Sequence, residues 1–278
     1  MPMNRYFATS LALLIAGCTA AAAAPDSVGA PAAAPMPSQR AAFDMGPAYF
    51  PGPLPAGERL VGAPPAAGSE AMARDERLSA AGLALYGSER FKLAAADADL
   101  GPGAVPGAFS CTAGVVISDS ATPAIMHLLR RANADFGTST SGVKALYKRP
   151  RPFTVNNEPT CTPADEEPLR HNGSYPSGHS AIGYGAGLLL AAVFPDKAAA
   201  LTRRGIEFGE SRRVCNVHWE SDIEAGRDFA AATFARLQSN PTFRDDLAKA
   251  QAEARVLGIT DGMATPKCAA EASALAQG

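Results

Sequence analysis

Three short motifs contain the residues of this chain that could do chemistry on an anion. They are Lys144 with Arg151-Pro152, then Pro176-Ser177-Gly178-His179, then Ser211-Arg212 with His218 and Asp222. Together they supply three fixed cations, two imidazoles, one carboxylate and a glycine turn within about eighty residues. Such a set could bind a tetrahedral oxyanion, attack it with one histidine and protonate its leaving group with the other. Each motif alone also fits a structural role, so it is their order and spacing together that indicate a site.

The second motif predicts an anion site at the start of a helix. Ser177 is a good N-cap, and a helix that begins at Gly178 has unpaired backbone N–H groups in its first turn. These groups bind anions well, and the missing side chain of Gly178 lets the backbone approach the anion closely. His179 then lies in the first turn, beside the bound group.

The third motif predicts a histidine that is oriented by a carboxylate. Ser221 and Glu224 have the spacing of a capping box, which predicts that a helix starts at Ser221. His218 lies on the approach to that helix, and Asp222 in its first turn can reach back to His218 Nδ1. That contact would leave Nε2 free to attack. Arg212 ends the preceding helix, and a break between the two helices lets both side chains point at one spot.

The first motif supplies the two remaining cations, Lys144 and Arg151. Pro150 and Pro152 flank Arg151 and are expected to hold it extended, because the residue before a proline disfavours helix. Guanidinium groups bind phosphate oxygens in a fork, whereas lysine acts as a point charge. The neighbouring Lys148 and Arg149 are interpreted as part of a solvated basic run.

These groups predict a specific division of roles. His218 must be neutral to attack, and His179 must be protonated to donate to the leaving oxygen. Opposite protonation states in one pocket predict a rate optimum on the acid side of neutral. Three cations can match the charge of a phosphoryl group as the nucleophile adds, so the arrangement needs no metal.

Helical patterns position these motifs. They predict helices over residues 70–86, 88–97, 122–135, 139–147, 177–194, 198–214, 221–237 and 241–256. Residues 101–107 and 153–175 are predicted as loops, and Asp165-Glu166-Glu167 as a solvated turn within the second loop. No alternating run argues for a sheet. We therefore expect an all-α fold, a single helical-bundle domain over residues 43–262, followed by a C-terminal tail over residues 263–278.

The N-terminus has the features of an export signal. Residues 1–24 combine Arg5, a short apolar run at residues 11–15 and an A-x-A cleavage site. A second interpretation stays open, because Ile15-Ala16-Gly17-Cys18 resembles a bacterial lipobox that would anchor the chain through Cys18. Either route takes the protein out of the cytoplasm, to the periplasm or beyond. Residues 25–42 are rich in Ala and Pro and are interpreted as a mobile segment.

The remaining cysteines predict two disulfides. Cys111, Cys161, Cys215 and Cys268 are even in number, and three pairings are open. Cys161–Cys215 is favoured because both residues lie beside motif segments that must converge, which leaves Cys111 for Cys268. A metal site is the alternative, but no C-x-x-C or H-x-x-x-H spacing supports it.

Composition argues against nucleic acid as an obligate partner and against a transmembrane span. The net charge is −2, without the basic excess that is usual in proteins that bind nucleic acid. No segment after residue 24 reaches the eighteen or so apolar residues that span a bilayer, so no transmembrane span is expected. Apolar residues make up 47% of the chain and aromatic residues only 7%, which favours an Ala/Leu-rich helical core.

The three motifs together resemble the type-2 phosphatidic acid phosphatase superfamily, which also includes vanadium-dependent haloperoxidases. The resemblance is closest to the class A bacterial nonspecific acid phosphatases and covers roughly residues 75–255. The stretches that carry it beyond the motifs are Ser88-Glu89-Arg90-Phe91-Lys92-Leu93-Ala94-Ala95, Asn172-Gly173-Ser174-Tyr175, Gly209-Glu210-Ser211-Arg212 and His218-Trp219-Glu220-Ser221-Asp222.

This resemblance implies an all-α phosphatase that acts on small-molecule phosphomonoesters through a phosphohistidine. It implies that His218 is the nucleophile, Asp222 its orienting partner, and His179 the general acid and then the base. The phosphate-binding residues it implies are Lys144, Arg151, Ser177, Gly178 and Arg212. It further implies a periplasmic enzyme that needs no metal and no cofactor and that often forms homo-oligomers.

Three alternatives use the same residues differently. A haloperoxidase would hold vanadate in the same pocket, but such enzymes are usually much longer than this chain. A lipid phosphatase would need membrane spans that the sequence lacks. A non-catalytic phosphate-binding protein would need the cations but not the paired histidines. The sequence leaves the physiological substrate, lipidation and oligomeric state open.

Overall fold

The computed structural model describes residues 46–101, 103–258 and 262–277. These described residues contain α-helices and short 3-10 turns and no β-strand, so the predicted all-α fold is confirmed. The α-helices are α1 (Gly57–Val61), α2 (Glu70–Leu83), α3 (Glu89–Asp97), α4 (Ala104–Ala108), α5 (Ser110–Ala113), α6 (Pro123–Ser139), α7 (Ser141–Tyr147), α8 (Pro152–Asn156), α9 (Glu166–Arg170), α10 (Gly178–Val193), α11 (Ala198–Val214), α12 (Glu220–Leu237), α13 (Pro241–Val256) and α14 (Pro266–Leu275). The export signal of residues 1–24, Cys18 and the segment 25–42 lie outside them.

Helix α10 forms the centre of the bundle. It is apolar on nearly every side and packs against α6, α11 and α12. Its contact with α11 is close because glycines face each other: a Cβ on Gly205 would lie 2.9 Å from the carbonyl oxygen of Gly183. The backbones can approach this closely only without side chains, so the glycines set the distance between the two helices that carry the second and third motifs.

Three of the helices begin at capping residues. Ser69, Ser88 and Asn240 each cap a helix by accepting a hydrogen bond from a backbone N–H in its first turn. Pro123 stands at the first helical position of α6, where its missing N–H costs no hydrogen bond. Helix α2 ends at Leu83 rather than residue 86, and α6 continues to Ser139 instead of stopping near residue 135.

Three segments without a clear apolar period contain short helices. The stretch 101–107, predicted as a loop, includes most of α4, and the predicted loop 153–175 includes most of α8, all of α9 and a 3-10 turn at Pro163–Asp165. The residues assigned to a C-terminal tail contain α14. Helices of five to ten residues carry too few apolar repeats to be recognised, so tertiary contacts rather than periodicity stabilise them.

Two disulfides connect distant parts of the chain, in the pairing that the sequence favoured. Cys161 is bonded to Cys215, with Cα atoms 4.8 Å apart, and Cys111 to Cys268, with Cα atoms 5.4 Å apart. The first joins the segment after α8 to the end of α11, three residues before His218. The second joins α14 to α5.

Candidate active site

The first motif spans the end of α7 and the start of α8. Lys148 follows α7 with a φ of 46°, a left-handed conformation that ends the helix. Arg151 is extended, with φ −84° and ψ 153°, and caps α8 with Pro152 at its first position. The extended backbone matches what the flanking prolines predict and turns the Arg151 side chain toward His218.

Backbone carbonyls of residues 169–174 hold both cations of this motif. Lys144 Nζ donates to the carbonyls of Gly173 (2.8 Å) and Ser174 (3.3 Å). Arg151 Nε donates to two further carbonyls of the same segment, at 3.0 Å each. Both side chains are therefore fixed before any anion is bound, which removes much of the entropic cost of ordering them.

The second motif forms the start of α10 as predicted. Ser177 is the N-cap, and its hydroxyl accepts from Ser180 N at 3.2 Å. The backbone N–H of Ser177 donates to the carbonyl of Asp222 at 2.8 Å, which joins this helix start to the third motif. A Cβ on Gly178 would lie 3.8 Å from Lys144 Cε. The first turn of α10 and the lysine therefore face the same space.

His179 lies in that first turn and contacts the end of α3. Its Nε2 atom donates to the carbonyl oxygen of Ala98 at 3.2 Å. Burial lowers the pKa of His179 well below its usual 6.5, and the positive charge of Arg212 lowers it further, with smaller effects of His218 and Arg151. The neighbours that lower this pKa, Arg212, His218 and Arg151, all belong to the first and third motifs.

The third motif lies at the break between α11 and α12. Helix α11 ends at Val214, and Asn216 turns the chain with a φ of 59°. Helix α12 begins at Glu220 with Trp219 as its N-cap. The sequence predicts that this helix starts at Ser221, with Ser221 as the N-cap. The predicted start is therefore wrong by one residue, and the predicted N-cap by two. Asp222, at the third helical position, supplies the capping acceptor: its carboxylate accepts a hydrogen bond from Trp219 N at 2.9 Å.

Both ring nitrogens of His218 have defined partners. Nδ1 lies 3.2 Å from Asp222 Oδ2, the contact that the sequence predicts. Arg151 Nη1 lies 3.0 Å from Nε2. A guanidinium can only donate, so Nε2 accepts and its lone pair faces Arg151, while Nδ1 carries the proton and donates to the carboxylate. This is the tautomer that a nucleophilic Nε2 requires.

The electrostatics of this cluster follow from burial among like charges. Burial lowers the pKa of His218 well below 6.5, and Arg151, Lys144 and Arg212 add to the effect. The same causes, burial and Arg151, lower the pKa of Lys144 to about 7. Burial raises the pKa of Asp222, and Arg149 opposes that rise. A bound anion would relieve the repulsion among the cations.

Arg149 departs from its prediction as a solvated cation. Its side chain is buried, with Nη1 2.7 Å from Asp222 Oδ1 and Nη2 2.8 Å from Asp75 Oδ2. The prediction was wrong because the basic run changes from helix to extended backbone after Lys148. Lys148 lies before that change, at the end of the helix. Its side chain is exposed, as predicted.

Comparison with known proteins adds to this geometry. Residues 124–242 match the PAP2 superfamily. The chain is 42% identical to the non-specific acid phosphatase of Salmonella typhimurium over 191 residues, which cover 68% of this chain and 76% of that protein. It is 40% identical to the non-specific acid phosphatase of Providencia stuartii over 195 residues, 70% of this chain and 79% of that protein. An acid phosphatase of Zymomonas mobilis is 38% identical over 190 residues, 68% and 72% of the two chains.

The chain belongs to the class A bacterial acid phosphatases of the PAP2 superfamily. It is therefore a phosphatase, and the structure gathers the three predicted motifs of this acid phosphatase at the ends of α7, α10, α11 and α12. No group of three or more His, Cys, Asp or Glu is placed to hold a metal ion within residues 46–101, 103–258 and 262–277. In the same ranges no helix has the length and hydropathy to cross a bilayer.

A cavity of about 870 Å³ adjoins the cations of the acid phosphatase. Lys144 and Arg151 line one side of it, and residues 169–173 line another. This segment belongs to the stretch 153–175, so part of the predicted loop borders the cavity. The same segment supplies the carbonyls that hold Lys144 and Arg151, which ties the shape of the cavity to the position of both cations.

Proposed function

We propose that this acid phosphatase hydrolyses phosphate monoesters of broad specificity through a phosphohistidine at His218, without a metal ion. The observation that carries the proposal is the pair of contacts on the His218 ring. Asp222 fixes the proton on Nδ1 and Arg151 marks the side on which the Nε2 lone pair lies. The names of the relatives, acid phosphatases and non-specific acid phosphatases, support the reaction class and the breadth of specificity.

The site would hold the phosphoryl oxygens with charge and with backbone donors. Lys144, Arg151 and Arg212 supply the fixed cations. Ser177 and Gly178 supply the start of α10, whose free N–H groups and helix dipole favour an anion. Preorganised donors of this kind are usually the largest contribution to phosphoryl transfer.

In the first half-reaction the Nε2 lone pair of His218 forms a P–N bond as the ester P–O bond breaks. His179 passes its proton to the departing oxygen, so an alcohol leaves rather than an alkoxide. The phosphorylated imidazole keeps its Nδ1 proton and carries a positive charge, which the carboxylate of Asp222 stabilises. The ring does not need to turn, because its Nδ1 atom donates to Asp222 Oδ2, and Trp219 N holds that carboxylate oxygen at the start of α12.

In the second half-reaction water replaces the alcohol. Neutral His179 takes a proton from the water as its oxygen bonds to phosphorus, and the P–N electrons return to Nε2. Inorganic phosphate is released, and His179 is again protonated for the next cycle. One histidine therefore serves first as acid and then as base.

The pH dependence follows from the two histidines. Burial and nearby cations lower the pKa of His179, whereas the negative charge of a bound ester opposes the effect of the cations. His179 would therefore be protonated mainly in the complex with substrate, and more so as the pH falls below neutral. We expect an optimum on the acid side, and an optimum above about pH 8 would contradict the assignment.

Trapping the intermediate tests the mechanism directly. The enzyme is mixed with a ³²P-labelled phosphomonoester and quenched in alkali, which preserves phosphohistidine, and the labelled peptide is identified. We expect label on His218 and none in His218→Ala. His179→Ala should still be labelled by p-nitrophenyl phosphate, whose leaving group needs no proton. Equal labelling of both variants would reject the assignment of roles.

Activity toward a panel of phosphomonoesters separates the alternatives. Hydrolysis that survives EDTA supports the metal-independent phosphatase. Oxidation of bromide after loading with vanadate would indicate a haloperoxidase, and phosphate binding without turnover would indicate a binding protein. Preference for detergent-dispersed phosphatidate would indicate a lipid phosphatase.

We also propose that the enzyme acts outside the cytoplasm. Two disulfides, Cys111–Cys268 and Cys161–Cys215, support an oxidising compartment, and the N-terminal sequence supports export. Cell fractionation with mass spectrometry of the mature N-terminus tests this. Cleavage near residue 24 would indicate a periplasmic or secreted protein, and a lipidated Cys18 would indicate a membrane-anchored one.

A further inference from the structure

Arg149 is held in a buried chain of charges that ends at the proposed nucleophile. One of its nitrogens contacts Asp222 Oδ1 (2.7 Å) and the other contacts Asp75 Oδ2 (2.8 Å). Asp75 and Asp222 have no exposed surface, and Arg149 is 8% exposed. Asp222 in turn contacts His218 Nδ1 through its other oxygen. The order of contacts is Asp75, Arg149, Asp222, His218.

The two oxygens of Asp222 have different tasks. Oδ2 accepts from His218 Nδ1 and from Trp219 N, while Oδ1 accepts from Arg149. A carboxylate held on both oxygens cannot rotate without breaking a charged hydrogen bond. Arg149 therefore fixes the plane of the carboxylate that orients the histidine.

Ser221 closes this chain into a ring of contacts. Its backbone N–H donates to Asp75 Oδ1 at 2.9 Å, and Arg149 Nη1 lies 2.8 Å from its hydroxyl. Ser221 directly precedes Asp222, so Asp75 of α2 positions the first turn of α12 as well as the guanidinium. The arginine side chain also packs over Trp219, 5.4 Å from the ring centre.

The charges of Asp75 and Arg149 determine how far the Asp222 carboxylate stays ionised. Burial favours its protonated form, and Arg149 is the strongest neighbouring influence against that. Asp75 balances the arginine from the far side, so the three groups together carry one negative charge toward His218. The charged and titratable groups that face Asp222 are Arg149, Lys144, Arg151, His218 and, more weakly, Tyr175.

We propose that Arg149 and Asp75 are positioning residues for the phosphohistidine step: Arg149 keeps the Asp222 carboxylate ionised and aligned with His218, and Asp75 holds the Arg149 guanidinium in place. The inference rests on the proposed function, because it assigns a task within that mechanism. Neither residue is among the groups assigned to the phosphate, and both act through Asp222.

The pH profile of kcat in paired variants tests this role. Arg149→Met removes the positive charge, so Asp222 should take up a proton at higher pH. We expect a loss of about 10- to 100-fold in kcat, the size typical when the hydrogen-bond partners behind metal-ligating histidines are removed. The acid limb of the profile should move upward by about 1–3 pH units. Arg149→Lys keeps the charge and should restore the acid limb, with kcat between the two.

Asp75→Asn should act in the opposite direction on the profile. Of the two carboxylates that Arg149 contacts, only Asp222 then remains charged. The arginine favours its ionised form at least as strongly as before, so the acid limb should stay in place or move to lower pH. A merely structural role predicts that both variants lose activity equally at every pH. Parallel losses with an unmoved acid limb would overturn the proposal.

Arg74→Met is the matched control. Arg74 also joins α2 to α12 through a two-pronged contact with Glu224, at 2.8 and 3.0 Å, but it does not touch Asp222. Its loss should leave kcat and the acid limb at wild-type values. Thermal unfolding of each variant shows that the protein measured is folded, since removal of one partner from a buried pair can destabilise strongly.

A second readout separates this inference from the proposed function. If wild-type His218 is labelled but Arg149→Met keeps the wild-type profile, the inference fails and the proposed function stands. If wild-type His218 is not labelled, the proposed function fails first. The ¹⁵N spectrum of the His218 ring then still reports whether Arg149→Met changes the Nδ1 proton, and an unchanged spectrum would count against the inference.

Discussion

The backbone N–H of Ser177 donates to the backbone carbonyl of Asp222 at 2.8 Å. These residues belong to different helices and to different motifs, yet a main-chain bond fixes their separation. The N-cap that faces the proposed phosphate site and the carboxylate that orients His218 therefore move as one unit. The relationship depends on backbone atoms, so only proline at position 177, which lacks the N–H, would remove it directly.

A first prediction concerns the glycine that allows this contact. A Cβ on Gly226 would collide with the carbonyl oxygen of Ser177 and lie 2.9 Å from Ser180 Cβ. We expect Gly226→Ala to destabilise the protein by about 1–3 kcal/mol and to lower kcat, because α10 must shift at its N-cap. Urea unfolding and steady-state kinetics measure both effects.

Gly107→Ala provides the comparison for that substitution. Nothing lies within 4 Å of a Cβ at Gly107, which is also helical. Its unfolding free energy should be unchanged or slightly higher, with normal kcat. Equal stability of the two variants would show that the close approach of α12 to the start of α10 does not constrain these helices.

A second prediction concerns the carboxylate itself. Asp222→Asn keeps the shape of the side chain but removes its charge, so the Nδ1 proton is no longer favoured and the phosphorylated ring loses its counter-charge. We expect kcat to fall by up to about 10⁴-fold, the size known for a comparable change in a serine protease. Asp228→Asn, an exposed position on α12, should have no effect. Rapid-quench measurement of phosphoenzyme formation distinguishes a slow first step from a slow second one.

A third prediction follows from the pKa of Lys144, which burial and Arg151 lower to about 7. Lysine is charged below its pKa, so the site should lose one positive charge as the pH rises through about 7. Sulfate keeps its own charge over this range. Its inhibition constant should therefore rise between pH 6 and 8 because the site, not the inhibitor, loses charge. Lys144→Arg, which stays charged, should weaken this rise. An inhibition constant with the same pH dependence in both proteins would contradict the lowered pKa.

A fourth prediction distinguishes the two disulfides. Cys161–Cys215 spans 54 residues, and the chain-entropy estimate for its loss is about 4 kcal/mol. It also holds the segment before residues 169–174, whose carbonyls fix Lys144 and Arg151. The double substitution Cys161→Ser with Cys215→Ser should therefore lower both the Tm and the affinity for phosphate.

The other disulfide gives the reference for this measurement. Cys111–Cys268 spans 157 residues, and its removal should cost a similar free energy, about 5 kcal/mol by the same estimate. The cavity beside it is lined by residues 111–112 and residues of 262–275 and by no site cation, so the phosphate affinity of the folded protein should stay near normal. A loss of phosphate affinity that is equal in both double variants would remove the special role given to Cys161–Cys215.

The sequence predicted those features that depend on local chemistry. Ser177 as an N-cap, the extended Arg151 between two prolines and the reach of Asp222 to His218 each follow from nearest neighbours along the chain. The start of α12 was misplaced because Ser221 looked like the better cap. In the fold the hydroxyl and N–H of Ser221 contact Asp75. Asp222, at the third helical position, accepts the capping hydrogen bond from Trp219 N instead.

Arg149 could not be predicted because its partners are distant in sequence. Asp75 lies 74 residues before it, in a helix whose pattern gives no sign that this carboxylate is fully buried. The change of backbone conformation at Lys148 decides which basic residues point inward, and only a φ of 46° in the structure reveals it. The one hint in the sequence was that Arg149 lies two residues before Arg151, a predicted site cation.

The last helix has a consequence for any shortened form of the protein. Arg204 is 2% exposed and is shared between Asp97 of α3 and Glu271 of α14. A chain cut back to residue 262 would leave this guanidinium with one of its two counter-ions and would lose the partner of Cys111. The yield of folded protein should therefore drop when α14 is trimmed, so an affinity tag should be added after Gln277 and should not replace α14.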